Sequence, residues 1–168
     1  MSRITLHPVR WTDGPELIQA NRDSCGHHTP WVQPFTDAAG FADWFGRHLT
    51  GPHRSFVARD AADGAVAGMV NLSEIVWGSF RSAYLGYYGS AAAAGRGLMT
   101  EAVGAAARHA FAELGLHRLE ANVQPGNLRS LALLRRLGFR QEGFSPGYLR
   151  VGGEWRDHER WALLATLE

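Results

Sequence analysis

Residues 84–103 read YLGYYGSAAAAGRGLMTEAV: a β-prone run, a stretch of small residues and glycines, then the start of an apolar-periodic helix. A strand that runs through a glycine turn into a helix gathers unpaired backbone N–H groups and the positive end of the helix dipole around one point, which suits a phosphate. Gly95 and Gly97 let the backbone approach an oxygen closely, Arg96 adds a charge, and Thr100 offers a hydroxyl from the first turn. A plain flexible joint has the same composition, so both readings stand at this point. GxxxxGK[ST] is absent and GRG lacks the spacing of GxGxxG, so any phosphate held here belongs to another class of site.

Downstream, Val103, Ala107, Ala110, Phe111 and Leu114 recur at helical spacing and Gly115 stands where a C-cap belongs. HRLEANVQ (117–124) then alternates, with Leu119, Ala121 and Val123 on one face and Arg118, Glu120, Asn122 and Gln124 on the other, the pattern of a strand with one polar face. Asn127 follows a Pro-Gly turn and is a good N-cap for a helix with Leu128, Leu131, Leu134 and Leu137 along one side, ended by Gly138. From Phe139 to Leu167, breaks at Pro146-Gly147 and Gly152-Gly153 separate β-prone runs around 148–151 and 155–164, a closing hairpin.

Upstream, SRITLHPVR (2–10) reads as a strand, and Asp13 is placed to cap a helix with Pro15 in its first turn that runs to Asp23. CGHHTPWVQPF (25–35) reads as a loop, after which Thr36 or Asp37 caps a helix through Phe41, Trp44, Phe45 and Leu49. Strands follow at 55–60 and 65–77 around the turn AADG, with a third at 83–90. The order of one strand, two helices, three strands, helix, strand, helix and two strands predicts an α/β (α+β) domain on a mixed sheet of about seven strands flanked by about four helices.

At 168 residues and 45% hydrophobic content, the chain suits one domain over 1–168 with a proper core. Seventeen basic and 16 acidic residues leave a formal charge of +1, which supplies no field for nucleic acid or an anionic membrane, so neither is expected as a partner. Cys25 is the single cysteine and no Cys/His cluster has zinc spacing, so no metal is expected. His27 and His28 are adjacent and point apart in most backbones, with no third ligand placed by spacing. MSRITLHPVR lacks the apolar core of a signal peptide and no segment approaches the roughly 20 apolar residues of a membrane span, so a soluble, cytoplasmic protein is expected.

Three segments together resemble the GCN5-related N-acetyltransferase superfamily, and within it the RimJ/RimL type of protein N-terminal acetyltransferase: residues 84–103, FAELGLHRLEANVQPGNLRSLALLRRLGFRQEG (111–143) and GGEWRDHERWALL (152–164). The resemblance is strong over 83–164, and the earlier element order agrees with it. It implies a mostly antiparallel sheet, an acetyl-CoA cosubstrate, and a loop that wraps the pyrophosphate of coenzyme A. The family's loop pattern, Gln or Arg, two residues, Gly, one residue, then Gly or Ala, falls on Ala94 to Met99. Gly97 matches; Ala94 and Met99 depart from it, so the expected cofactor loop of Ala94, Gly95, Arg96, Gly97, Leu98, Met99 and Thr100 relies on backbone N–H groups.

The same resemblance implies backbone bonds from Tyr87, Tyr88 and Gly89 to the pantetheine and acetyl carbonyl, one N–H serving as an oxyanion donor. It places Glu120 where related enzymes deprotonate the amine through a water; pairing with Arg118 is the competing account. The tyrosine acid found in many members, seven residues after the position of Asn127, is Leu134 here. Ser130 resembles the serine that the RimL branch offers to the sulfur, with helix-start hydrogen bonding as its alternative, and Asn127 both caps the helix and contacts the pantetheine. Trp31 and Phe35 are expected as walls of the acceptor cleft, or as loop packing.

The implied reaction is direct transfer of acetyl to a protein or peptide N-terminal amine. A small amine such as an aminoglycoside, polyamine or amino acid is the alternative acceptor. A non-catalytic acyl-CoA-binding module is the alternative class, and a homodimer is compatible with the aromatic-rich hairpin.

Overall fold

The computed structural model describes residues 1–166; Leu167 and Glu168, the first of which closes the expected hairpin segment, lie outside the described residues. Its elements are β1 (Ile4–Pro8), α1 (Gly14–Asp23), α2 (Cys25–His28), α3 (Ala38–Thr50), β2 (Arg54–Asp60), β3 (Val66–Val76), β4 (Ser82–Gly89), α4 (Leu98–Ala112), β5 (Arg118–Val123), α5 (Leu128–Arg136), β6 (Arg140–Val151) and β7 (Glu154–Leu164). The seven strands form one sheet in the order β1-β2-β3-β4-β5-β7-β6. Every neighbouring pair is antiparallel except β4 and β5.

That parallel pair positions the site. Its ladder holds only Ser82, Ala83 and Tyr84 against Arg118, Leu119 and Glu120, although β4 continues to Gly89 and β5 to Val123. Beyond Tyr84 and Glu120 the two strands part, and their facing peptide groups are left for another partner.

Each face of the sheet carries its own core. On one side Val70, Leu72, Leu85, Leu119 and Ala121 meet α4 and α5 through Leu98, Val103, Ala106, Ala110, Leu131 and Leu134. The alanines let α4 lie close to the strands, and each fully buried leucine contributes about 1.5–3 kcal/mol. On the other side Leu17, Phe41, Val57 and Met69 form a smaller cluster bordered by Phe35, Trp44 and Tyr88.

Local chemistry departs from expectation at four places. Asp13 stands at the N-cap of α1 without capping it, because its carboxylate turns back to the backbone N–H of Arg10 and pairs with Arg59. Residues 25–28, expected as loop, form the extra one-turn helix α2. Leu128 is 71% exposed, so the buried side of α5 is Leu131, Leu133 and Leu134; a helix's first residue projects back past its own end. Pro146-Gly147 does not break β6, which passes through them with a register shift while the Gly147 N–H donates to Asp157. Asp37, in contrast, caps α3 as expected, accepting from the Gly40 N–H at 2.7 Å.

Candidate active site

Two clefts meet in the gap between β4 and β5. The larger, about 1470 Å³, is walled by α2, the 94–100 loop and α5; the smaller, about 560 Å³, lies over the α1–α3 face. Trp31, Tyr87, Tyr88, Asn127 and Ser130 line both, so the clefts join through the parted strands.

The 94–100 loop forms one end of the larger cleft. Gly95 and Gly97 have φ of 75° and 76°, a conformation that a side chain disfavours, and a Cβ on Gly95 would meet only open space. Gly97 is the N-cap of α4 and offers no side-chain acceptor. Among the described residues, the N–H groups of Gly95, Arg96, Gly97, Leu98, Met99 and Thr100 have no acceptor, so several donors converge on one point. Leu98 is buried in the core and contributes backbone alone, whereas Ala94, Met99 and Thr100 line the cleft. Beneath the loop Gly68 on β3 leaves no room for a Cβ, which would collide with the Tyr88 carbonyl oxygen and the Met99 sulfur.

Arg96 departs from its expected role. Its guanidinium pairs with Asp60, whose carboxyl is held below the usual range by the Ala62 N–H and by Arg96 itself. Free cationic charge in this cleft comes instead from α5, where Arg129 and Arg136 stand two turns apart on the lining face. Their seven-residue spacing was visible in the sequence, but only the fold turns that face toward the loop.

Along β4, peptide groups alternate between the two sides. The Ser90 N–H donates to Ala67 on β3 and the Tyr88 carbonyl also points to β3, so the peptide groups of Tyr87 and Gly89 face the gap. Tyr88 therefore differs from the expectation for its backbone: only its side chain reaches the clefts, where its ring meets His28 edge-on at 5.1 Å. The Gly89 carbonyl accepts from His28 Nε2 at 2.8 Å, and burial lowers the pKa of that imidazole. His27 turns instead toward Arg129, so the two histidines serve different partners.

At the junction of the clefts the Tyr87 phenol lies 2.6 Å from Ser130 Oγ, while the Ser130 N–H donates to Asn127 Oδ1 at 3.3 Å. Burial pushes the Tyr87 phenol up to about 12, against the smaller opposing effect of Ser130. The sequence singled out Ser130 and Asn127, but not the phenol, because nothing local to the YLGYYG run shows which tyrosine points at α5.

Glu120 shares the polar face of β5 with Asn122 and Gln124 yet lines neither cleft; it stands on the last rung of the closed ladder and accepts from Arg118 at 2.7 Å. Arg118 also holds Glu142, keeping that carboxyl below the usual range. In the smaller cleft Trp31 and Phe35 do form walls, with Trp44 beside Phe35 at 5.3 Å, and Asn71 and Asn122 supply polar floor. The only lining carboxylate among the described residues, Asp43, is paired with Arg47.

Residues 3–140 match a family model described as an acetyltransferase (GNAT) domain. The chain is 42% identical over 116 residues to the [ribosomal protein uS5]-alanine N-acetyltransferase of Escherichia coli (strain K12), covering 69% of this chain and 60% of that protein. It is 41% identical over 104 residues to the probable N-acetyltransferase YjcK of Bacillus subtilis (strain 168), covering 62% of this chain and 58% of that one. The chain thus spans about three fifths of the length of these relatives. The structure of Mycobacterium smegmatis RimJ in complex with CoA-disulfide superposes with a TM-score of 0.87 at 30% identity, covering 96% of this chain and 82% of that one. A spermidine N-acetyltransferase from Vibrio cholerae, 23% identical with a TM-score of 0.83 over 98% of this chain and 96% of that one, shares the fold.

Proposed function

The chain belongs to the GNAT acetyltransferase family, in its RimJ/RimL branch, and from that premise we propose that it is an acetyl-CoA-dependent N-acetyltransferase acting on the N-terminal α-amine of a protein or peptide. The observation that carries this reading is the gap between β4 and β5, with a donor-rich loop at one end and the Tyr87–Ser130 pair where two clefts meet. We place the whole activity in one domain spanning residues 1–168.

The larger cleft fits coenzyme A. The free N–H groups of residues 95–100 suit its pyrophosphate, Arg129 and Arg136 add countercharge, and the peptide groups of Tyr87 and Gly89 suit the pantetheine amides. When bound there, acetyl-CoA supplies the activated acyl group. Ser130, backed by the Tyr87 phenol, stands ready to hand a proton to the departing sulfur, and Asn127 holds Ser130 at the helix start. Glu120, which lines neither cleft and accepts from Arg118, enters as the partner that fixes Arg118 below the site.

The smaller cleft favours a single amine on an otherwise uncharged chain. Aromatic walls and carboxamides suit a peptide end, and a polyamine would need unpaired carboxylates that the lining does not offer among the described residues. A screen of N-terminal peptides, spermidine, aminoglycosides and amino acids with acetyl-CoA, read by mass, tests the reading. Peptides that vary at their first residues should separate in rate. Acetylation of spermidine in preference to every peptide would sink the acceptor assignment, and tight acetyl-CoA binding without transfer to any amine would favour a binding module.

A further inference from the structure

We infer that His158 is the group that takes the proton from the acceptor amine; this rests on the acetyl-transfer reading above. An α-amine near neutral pH is largely an ammonium ion and cannot attack until it loses a proton. A base must therefore stand in the acceptor cleft, within reach of the amine or one water away. Among the lining residues, the titratable side chains are Asp43, Arg47, Tyr87, Tyr88 and His158. Asp43 is paired with Arg47, and burial raises both phenols, so they stay protonated. His158 remains.

Its geometry fits the task. The ring is 3% exposed, and its Nδ1 lies 2.9 Å from the Arg156 carbonyl oxygen. A carbonyl only accepts, so Nδ1 carries the hydrogen and the neutral ring holds its lone pair on Nε2. Among the described residues Nε2 has no hydrogen-bond partner, and it is not one of the buried polar atoms sealed from solvent. The Tyr148 ring from β6, 6.3 Å away, helps to fix the imidazole plane.

His158 also stands at the right level along the sheet. Val123 pairs with Glu159, so the next rung sets Gln124 beside His158, and continuing the parallel register from Tyr84 and Glu120 sets Gln124 level with Tyr88. His158 is therefore at the height of Tyr87 and Gly89, whose peptide groups face the gap. Glu120 lies four residues lower, roughly 13 Å along the strand at about 3.3 Å per residue. The charged groups nearest His158 along β7 are Arg156, Asp157, Glu159 and Arg160, and the Asp43–Arg47 pair lines the same cleft.

The step balances. The ammonium gives one proton to His158 Nε2, and the freed lone pair forms the C–N bond at the acetyl carbonyl carbon. The C–S bond breaks with its electron pair going to sulfur, the second proton leaving nitrogen reaches sulfur through Ser130 and Tyr87, and the imidazolium returns its proton to water. The products are an amide, a thiol and one proton.

His158→Asn keeps an N–H for the Arg156 carbonyl while removing the base. With a peptide acceptor at neutral pH, it should lower kcat/KM by about 10²-fold, leaving the KM for acetyl-CoA unchanged. The loss should shrink toward none with an amine already neutral at the assay pH, such as a fluorinated alkylamine, and His158→Ala should regain rate when imidazole is added. Independently of turnover, nitrogen NMR of the resting protein should show the Nδ1–H tautomer. Full activity of the folded Asn variant, an Nε2–H tautomer, or a greater loss in Glu120→Gln than in His158→Asn each overturns the assignment. Wild-type protein that acetylates no amine sinks the underlying acetyl-transfer reading instead.

Discussion

The Tyr87 phenol and the Ser130 hydroxyl lie 2.6 Å apart, one carried by β4 and the other by the first turn of α5, at the point where the two clefts join. Leu134 occupies the position where many family members carry a tyrosine acid, and this pair brings a phenol to the same helix from the sheet. With the phenol pushed up to about 12, its proton stays in place throughout the neutral range.

If the pair works as one donor, Ser130→Ala and Tyr87→Phe should each lower kcat by about 10²-fold, and the double variant should lose less than the product of the two. Steady-state rates at saturating acceptor and acetyl-CoA check this. Multiplicative losses would mean that the two hydroxyls act separately.

The loop makes a prediction in each direction. Gly97→Ala forces a Cβ into φ of 76°, 3.2 Å from Arg3 Nη2, and should cost about 1–2 kcal/mol in stability while weakening coenzyme A binding. Ala94 is exposed and extended, so Ala94→Gln adds a donor without strain and should tighten binding several-fold. Calorimetry with coenzyme A and thermal melts of the free proteins separate the two effects.

Arg136 should outrank Arg96 for cofactor affinity, because Arg96 is committed to Asp60. Arg136→Ala is expected to weaken coenzyme A binding about tenfold at low salt, the worth of roughly one charge-assisted hydrogen bond, and less at high salt. Equal losses in Arg96→Ala and Arg136→Ala, measured by titration at two ionic strengths, would contradict this division.

His28 makes stability depend on pH. Burial lowers its folded pKa beneath the ordinary histidine value, so between the two values the unfolded chain binds the extra proton and stability falls as pH drops below about 6.5. His28→Gln, which retains a donor for the Gly89 carbonyl, should flatten the fall in melting temperature from pH 7 to pH 5. An unchanged slope would show that His28 does not carry that dependence.

Much of this molecule is written in local pattern. The alternation of HRLEANVQ, the cap at Asn127, the glycines after β4 and the periodicity past Gly97 each report on a few consecutive residues, and the chain forms the matching elements there. The misplaced features, Asp13, the 25–28 turn and Leu128, are those in which a distant partner or the end of an element overrides local preference.

What the sequence determined alone was the element order and the position of an anion-ready loop, because hydrophobic period and glycine conformation act over a few residues. Tertiary structure decided how that site is wired. The β4–β5 ladder ends after three rungs, Arg96 turns to Asp60, Tyr87 meets Ser130 43 residues away, and Glu120 is left below the cleft while His158 lines it. Each of these joins side chains or strands far apart in the chain, and only the packing of both sheet faces brings them together.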